Sequence, residues 1–336
     1  MSRLLVLDYG SNSLRWLVVD RVDSPGTDAP LGPVESGGRS TGLGRPGEDG
    51  RVSAEAVENT LAATEEAVTR GRELGAERII AVATHFAREL PGVEALAEEL
   101  KSRWGVELAL LSGTDEAWLT RVGVEEGLRC LDLDGRAFCR GHYSLRSFLA
   151  VDVGGGSTEL SWWGCEETTG LNPLPPKGGR EFLTRSFPLG AINLTGYHLS
   201  SDPPAPGEME ELKTGVRSVL SRLPEDTRGL PVVASGGTAT ALAVLFLGLS
   251  EYLPLVIQGT RLTRGDLAAL VGRLAGIPLA ERRRLMPADE ERAAIIVAGA
   301  LVLETLLEHL GADGLLVSDY DLKHGAAIAL GRIAMP

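Results

Sequence analysis

The first apolar run of the chain, Leu4-Leu5-Val6-Leu7, stops on Asp8 and crosses the small residues Gly10, Ser11, Asn12 and Ser13. A second apolar run, "LRWLVVD", answers it at 14–20. Two such runs around a turn predict a β-hairpin with strands at 4–8 and 14–20. The Pro- and Gly-rich stretch 24–38 reads as a loop. From Ser53, Val57, Leu61, Val68 and Leu74 recur at near-helical spacing up to Gly75, which predicts a helix. Strands follow at 78–84 and 106–113, with a helix at 93–105 between them. Another helix opens at "TDEAWL", with Asp115 expected as its cap. Residues 129–147 read as an irregular connection. Beyond it, 148–164 reads as strand, glycine turn and strand, and 229–248 as strand, Gly-Gly turn and helix. "ERAAIIVAGALVLETLLEHLG" reads as a long apolar helix ending at Gly311, and "ERRRL" (281–285) as a solvated basic helix face. The strand "LLVS" and the amphipathic "DLKHGAAIALGRI" complete an alternating pattern that favours an α/β class.

Setting residue 8 over residue 152 lays "LDYGSNSLR" on "VDVGGGSTE", Asp8 on Asp152, Gly10 on Gly154 and Ser13 on Ser157. A repeat spaced by about half the chain points to duplicated domains. A hairpin does not need an aspartate at the same place twice, whereas a phosphate site has a use for it. Glycine turns let backbone N–H groups form a concave nest for anionic oxygens, and an Asp at each strand end can hold Mg²⁺. "SGGTAT" (235–240) adds a third element, a strand entering a helix N-terminus through Gly236 and Gly237. The two hairpin turns are expected to face each other across a cleft.

Composition narrows the partners. At 336 residues with 43% hydrophobic content, the chain can fill two cores. Its net charge of −13 argues against nucleic acid and anionic membrane as partners. An anionic small substrate stays open, because local arginines and a metal override the global field. Cys130, Cys139 and Cys165 make no CxxC pair, so no disulfide framework is implied and a reducing compartment fits. The start lacks a signal-peptide pattern. No stretch is expected to match the roughly 20 apolar residues of a membrane span, so a cytoplasmic protein is expected. The five histidines show no ligand spacing for zinc.

The segments "LDYGSNSLRWLV", "AVATHFARE", "LSGTDEAWL", "VDVGGGSTEL", "FPLGAINLT" and "VASGGTATALA" resemble the exopolyphosphatase/guanosine pentaphosphate phosphohydrolase family. The likeness continues in order through "ERRRLMPADEERAAIIVAGALVLETLLEHLGADGLLVSD", as in the short, two-domain form. It implies an α/β, actin-like (ribonuclease H-like) fold, two similar domains flanking a phosphate-binding cleft. Domain I would take 1–121 plus 316–336, and domain II 122–315. It also implies hydrolysis of a terminal phosphoanhydride of inorganic polyphosphate or guanosine pentaphosphate with Mg²⁺, or Mn²⁺ in its place.

Residue by residue, the resemblance makes Glu116 the water-activating base. Arg15 and Arg88 become phosphate ligands, although isolated arginines are more often surface ion pairs. Asp152 and Glu159 become the metal-holding acids, with Asp8 their counterpart in domain I. Glu159 lies among Leu160, Trp162 and Trp163, where an unpaired charge is costly. Gly10, Ser11, Asn12, Ser13, Gly154, Gly155, Gly156, Ser157, Thr158, Gly236, Gly237, Thr238 and Arg292 are the phosphate-binding set. The chain departs from the family pattern at His85 (commonly Ser), Asp115 (usually Glu) and Gln258 (frequently His). It departs again at Tyr320–Asp321, within a run usually more basic. Those departures motivate a second class, a non-catalytic binder of polyphosphate or guanosine tetra/pentaphosphate. A third is a kinase on the same fold. Oligomeric state stays open, although homodimers are common among homo-oligomers.

Overall fold

The continuous apolar run of β1 (Arg3–Tyr9) is explained by burial on both of its faces. Alternation sends Leu5, Leu7 and Tyr9 to one side of the sheet, against α1 (Ala54–Glu73) and α2 (Val93–Trp104). Leu4 and Val6 go to the other side, against Leu119 of α3 (Gly113–Leu133) and Leu322, Ala326 and Ala327 of α11 (Leu322–Ile333). Each fully buried side chain of this size contributes about 1.5–3 kcal/mol. The computed structural model describes residues 3–20, 31–44, 46–84, 90–133, 148–163, 182–287 and 289–333. Two compact units result, Met1–Glu126 with Tyr320–Pro336, and Gly127–Asp319.

In the first unit, β2 (Ser13–Asp20) pairs antiparallel with β1 and with β3 (Gly32–Ser40), while β4 (Ala76–Ala83) and β5 (Leu108–Leu110) run parallel to β1. The sheet order is β3-β2-β1-β4-β5. In the second unit, β6 (Leu149–Val153), β7 (Thr158–Trp163) and β8 (Phe182–Phe187) form the antiparallel half. There β9 (Val232–Ser235) and β11 (Gly314–Val317) run parallel to β6. The order β8-β7-β6-β9-β11 repeats the first sheet, with β10 (Arg261–Thr263) added antiparallel at the edge. This is the actin-like, ribonuclease H-like α/β scheme, present twice. The second core gathers side chains of one sheet face, Leu149, Val151, Leu160, Trp162, Val232 and Ala234 among them, around α10 (Glu290–Leu310), α5 (Pro206–Leu220), α6 (Gly236–Leu247) and α8 (Arg264–Ala275). Two short helices, α7 (Pro254–Ile257) and α9 (Leu279–Leu285), complete the set with α4 (Ala191–His198).

Several sequence expectations need correcting. Residues 32–38 are strand, not loop: β3 is recruited by pairing with β2. Its Gly37 lies under Trp16, where a Cβ would meet the indole at 2.5 Å. Pro33 enters at a register shift on this edge strand, where its missing N–H is tolerated. β5 is only three residues long. Ser112 rather than Asp115 caps α3: its Oγ accepts the Asp115 N–H at 3.1 Å, and Asp115 returns a carboxylate to the Ser112 N–H at 3.1 Å. Arg282 of the "ERRRL" run is buried and bonds the Leu274 carbonyl and Asp202. The helix α10 is, at 21 residues and mean hydropathy 1.8, long and apolar enough to cross a membrane. Other elements bury 78% of that window, as expected of a core helix. The units divide at 126/127 and 319/320 instead of 121/122 and 315/316, because β11 is hydrogen-bonded into the second sheet.

The entry to α5 makes a testable acid-sensitive joint. The Glu208 carboxylate accepts the Ser200 and Ser201 hydroxyls and the backbone N–H groups of Ser200, Ser201 and Ala205. These donors, the Ser200 hydroxyl first, hold its pKa down to about 2 from 4.5. A depressed carboxyl stabilises fully above its unfolded value, and that stability is lost as pH falls from 4.5 toward 2. In urea melts over that window the wild type should therefore lose stability more steeply than Glu208→Gln. Equal slopes would show that this joint carries no linkage.

Candidate functional site

The hairpin turns of the two units share one geometry. In the first, Tyr9 stands opposite Leu14 and Asp8 opposite Arg15, and the Gly10 N–H donates to the Ser13 carbonyl at 3.0 Å. In the second, Val153 stands opposite Thr158 and Asp152 opposite Glu159, and the Gly154 N–H donates to the Ser157 carbonyl at 2.9 Å. Each turn is backed by a distant segment that ties down its carbonyls. The Ser11 carbonyl accepts Gly44 N–H at 2.7 Å, and the Asn12 carbonyl accepts Thr41 and Gly42 N–H at 3.0 and 3.2 Å. The carbonyls of Gly154 and Gly155 accept Ala191 and Ile192 N–H, both at 2.9 Å, and the Gly156 carbonyl accepts the Asn193 amide at 3.3 Å. The N–H groups of Ser11, Asn12, Gly155 and Gly156 find no acceptor among the described residues. Carbonyls held behind and N–H groups left over make an anion nest in each unit.

The second nest depends on close backbone packing. A Cβ on Gly190 would lie 2.2 Å from the Gly155 carbonyl oxygen, so the 189–193 segment can back the turn only with glycine there. At the start of α6, Ser235 places its hydroxyl toward the Val151 carbonyl and does not cap the helix. The first-turn N–H groups at Gly236, Gly237 and Thr238 are thus free of side-chain capping, which favours an anion. Gly236, at φ 77°, lies against the Asp152 carboxylate: a Cβ would sit 2.1 Å from Oδ1.

Asp152 and Glu159 are a directly opposed cross-strand pair, so both carboxylates project from one face of the sheet. Like charges in that position repel, and Glu159 is 6% exposed. Its Oε1 accepts the Ser186 hydroxyl at 2.8 Å, which fixes the carboxylate. Two carboxylates with hydroxyl neighbours form an all-oxygen donor set. That set fits Mg²⁺, which commonly takes one or two carboxylates and fills its shell with water and phosphate oxygens. Among the described residues no cluster of three or more His, Cys, Asp or Glu side chains forms a self-sufficient metal centre. The corresponding pair in the first unit is Asp8 with Arg15, acid opposite base, so the two hairpins differ in charge although their backbones match.

Glu116 lies in the first turn of α3, immediately beyond β5, and is 4% exposed. Its backbone N–H is bonded to the Ser112 carbonyl at 2.9 Å, so the short β5–α3 link holds it rigidly. Thr84, which follows β4, donates its N–H to the Tyr9 carbonyl at 3.2 Å. Asp8, the first nest, Thr84 and Glu116 therefore lie at or beyond the carboxyl ends of β1, β4 and β5. Asp152, the second nest and the α6 start lie likewise beyond β6 and β9. Carboxyl ends of parallel strands are where open α/β sheets bind ligands. Arg88 and His85 fall outside the described residues.

Other residues of the expected phosphate-binding set are engaged within the chain. Thr158 and Thr238 are buried and donate to the Leu189 and Val153 carbonyls at 2.8 and 3.0 Å, because an enclosed hydroxyl needs an acceptor. These bonds brace the turn. Both amide atoms of Asn12 are enclosed and find no hydrogen-bond partner among the described residues. Arg292 is paired to Asp289, the cap of its own helix, at 2.8 Å. Sequence reasoning missed Asp321 as a buried charge centre. The Asp321 carboxylate meets Lys323 Nζ at 2.7 Å, His324 Nδ1 at 3.2 Å and Arg15 at 3.6 Å. Burial alone would raise its pKa, but the Lys323 ammonium, then His324 and Arg15, hold it well below the usual carboxylate range. The signal was visible as the departure of "VSDYDLKHG" from the expected basic run.

The comparisons agree with this geometry. The family model described as the Ppx/GppA phosphatase family matches residues 42–330. Exopolyphosphatase 2 of Mycobacterium tuberculosis is 29% identical over 98% of this chain and 99% of its own. The crystal structure of the Aquifex aeolicus Ppx/GppA family member superposes with a TM-score of 0.74 at 26% identity, covering 100% of this chain and 99% of that one. An exopolyphosphatase from Cytophaga hutchinsonii shares the fold at a TM-score of 0.78 and 22% identity, over 99% of each chain. With its duplicated sheets, paired turns and a family match spanning most of its length, the chain belongs to the Ppx/GppA phosphatase family.

Proposed function

We propose that this chain removes the terminal phosphate of inorganic polyphosphate, with guanosine pentaphosphate as the second substrate to be tried. The observation that carries the reading is the matched pair of turns with carbonyls tied back and N–H groups to spare. Relatives named exopolyphosphatase support the substrate class. In this reading the turn N–H groups and the α6 start receive phosphoryl oxygens, and Arg15 and Arg88 add bidentate cationic contacts. Glu116, held on a helix turn, orients a water and accepts its proton as the water oxygen bonds the terminal phosphorus and the bridging phosphorus–oxygen bond breaks, releasing inorganic phosphate and the shortened chain. Asp152 and Glu159 would hold Mg²⁺ or Mn²⁺, which when bound neutralises charge on the phosphate oxygens. Asp8 is the acid of the first unit on the same pattern.

The test is phosphate release from polyphosphate and from guanosine pentaphosphate, with Mg²⁺ and with chelator, in wild type and Glu116→Gln. Metal-dependent release that falls about 10²–10⁴-fold in the variant, with binding retained, is the expected result. Undiminished release in Glu116→Gln would remove that residue from the mechanism. Binding of either compound without any turnover would make the chain a sensor. Phosphorylation of an acceptor by ATP would make it a kinase.

A further inference from the structure

We infer that Asp321 is a positioning residue for Arg15, fixing its guanidinium for a phosphate through a buried charge relay with Lys323; this rests on the proposed phosphate role of Arg15. The Arg15 stem is seated on β3, where a Cβ on Gly38 would lie 3.3 Å from Arg15 Cγ. Its Nη1 lies 3.6 Å from Asp321 Oδ2, and the Arg15 side chain as a whole is 21% exposed. Asp321 is itself immobilised. Its Oδ1 accepts the Lys323 backbone N–H at 3.2 Å, the bond of a helix cap, and contacts His324 Nδ1 at 3.2 Å. Its Oδ2 takes the Lys323 ammonium at 2.7 Å. Lys323 and His324 are 4% and 2% exposed, and the His324 ring stacks on Tyr320 at 4.2 Å. A carboxylate held by three separate contacts on a helix start cannot follow a mobile arginine, so the arginine conforms to it.

An ordinary helix cap would account for the Lys323 N–H bond alone, and asparagine caps as well as aspartate. The test therefore removes charge while keeping the cap. Asp321→Asn combined with Lys323→Gln neutralises both ions together and strands neither. The variant is made in wild type and in Arg15→Met, and polyphosphate hydrolysis is measured in all four proteins. Binding of fluorescein-labelled polyphosphate is measured alongside. The expected result is a loss of kcat/KM of about 10-fold where Arg15 is present and under about 2-fold where it is absent. Equal losses in both backgrounds, or none, would overturn the inference while leaving the proposed hydrolysis standing. If the wild type binds polyphosphate without cleaving it, the hydrolase reading fails and the same coupling is read from the dissociation constants. A wild type that neither binds nor cleaves it overturns both.

Discussion

Gly236→Ala should lower polyphosphate hydrolysis at least about 100-fold and raise the Mg²⁺ concentration needed for half-maximal rate. The added Cβ would stand 2.1 Å from Asp152 Oδ1 and 2.8 Å from its Cγ, distances no real pair of atoms adopts. Something must move, and the atoms struck are the end of a side chain, whereas Gly236 is backbone at the first residue of α6. Swinging Asp152 away breaks its side-by-side placement with Glu159, on which the proposed cation site depends. The backbone adds a second penalty, because φ 77° costs an L-residue about 1–2 kcal/mol. Gly272→Ala is the control: nothing lies within 4 Å of its Cβ, and alanine in the α8 interior gains up to about 1 kcal/mol. A Gly236→Ala protein with wild-type rate and wild-type Mg²⁺ dependence would separate Asp152 from catalysis.

The duplicated hairpins were readable from the sequence because period-two burial and turn chemistry are local properties. The alignment of Asp8 with Asp152 also lays Arg15 on Glu159, and in the structure the pairs Asp8–Arg15 and Asp152–Glu159 occupy equivalent places. What stayed hidden was long-range. Strand β3 has little apolar alternation and exists because β2 offers it an edge, with Gly37 accommodating Trp16. The backing of the turns by 41–44 and 191–193 involves carbonyls, which no side-chain pattern reports. That the Thr158 and Thr238 hydroxyls donate to buried carbonyls was not legible either, since a hydroxyl beside a glycine turn reads the same whatever it faces. At the start of α3 the sequence reading puts the cap on Asp115, whereas Ser112 is the cap and Asp115 closes the reciprocal box. Asp321 was readable only as an oddity, its meaning depending on a helix start being brought beside β2.

Gly325→Ala gives the sharpest conflict between local and tertiary preference, and it should abolish or strongly weaken folding of the first unit. Helix propensity alone favours the change by about 1 kcal/mol, since glycine is a poor residue inside a helix such as α11. Packing opposes it. A Cβ at Gly325 would lie 1.8 Å from the Leu119 carbonyl oxygen and 2.6 Å from its carbon. The reverse contact is as tight: a Cβ on Gly123 would fall 2.0 Å from the Asp321 carbonyl oxygen and 3.1 Å from the Gly325 nitrogen. Here α3 and α11 meet backbone to backbone, so no side-chain rotation can relieve the clash. Either the helices part, opening the layer of Leu119, Leu322 and Ala326 beneath the sheet, or the protein unfolds. Overpacking of this kind costs about 3 kcal/mol or more. Gly331→Ala serves as the comparison, because its nearest neighbour is the Leu4 Cδ2 methyl at 3.2 Å, which can move. In urea melts Gly325→Ala should therefore lose several times more stability than Gly331→Ala. A gain in stability would mean that propensity wins and the helices are not in backbone contact. Because Asp321 immediately precedes this helix, the displacement would also carry it away from Arg15, so any folded fraction of Gly325→Ala should hydrolyse polyphosphate more slowly than wild type per folded molecule.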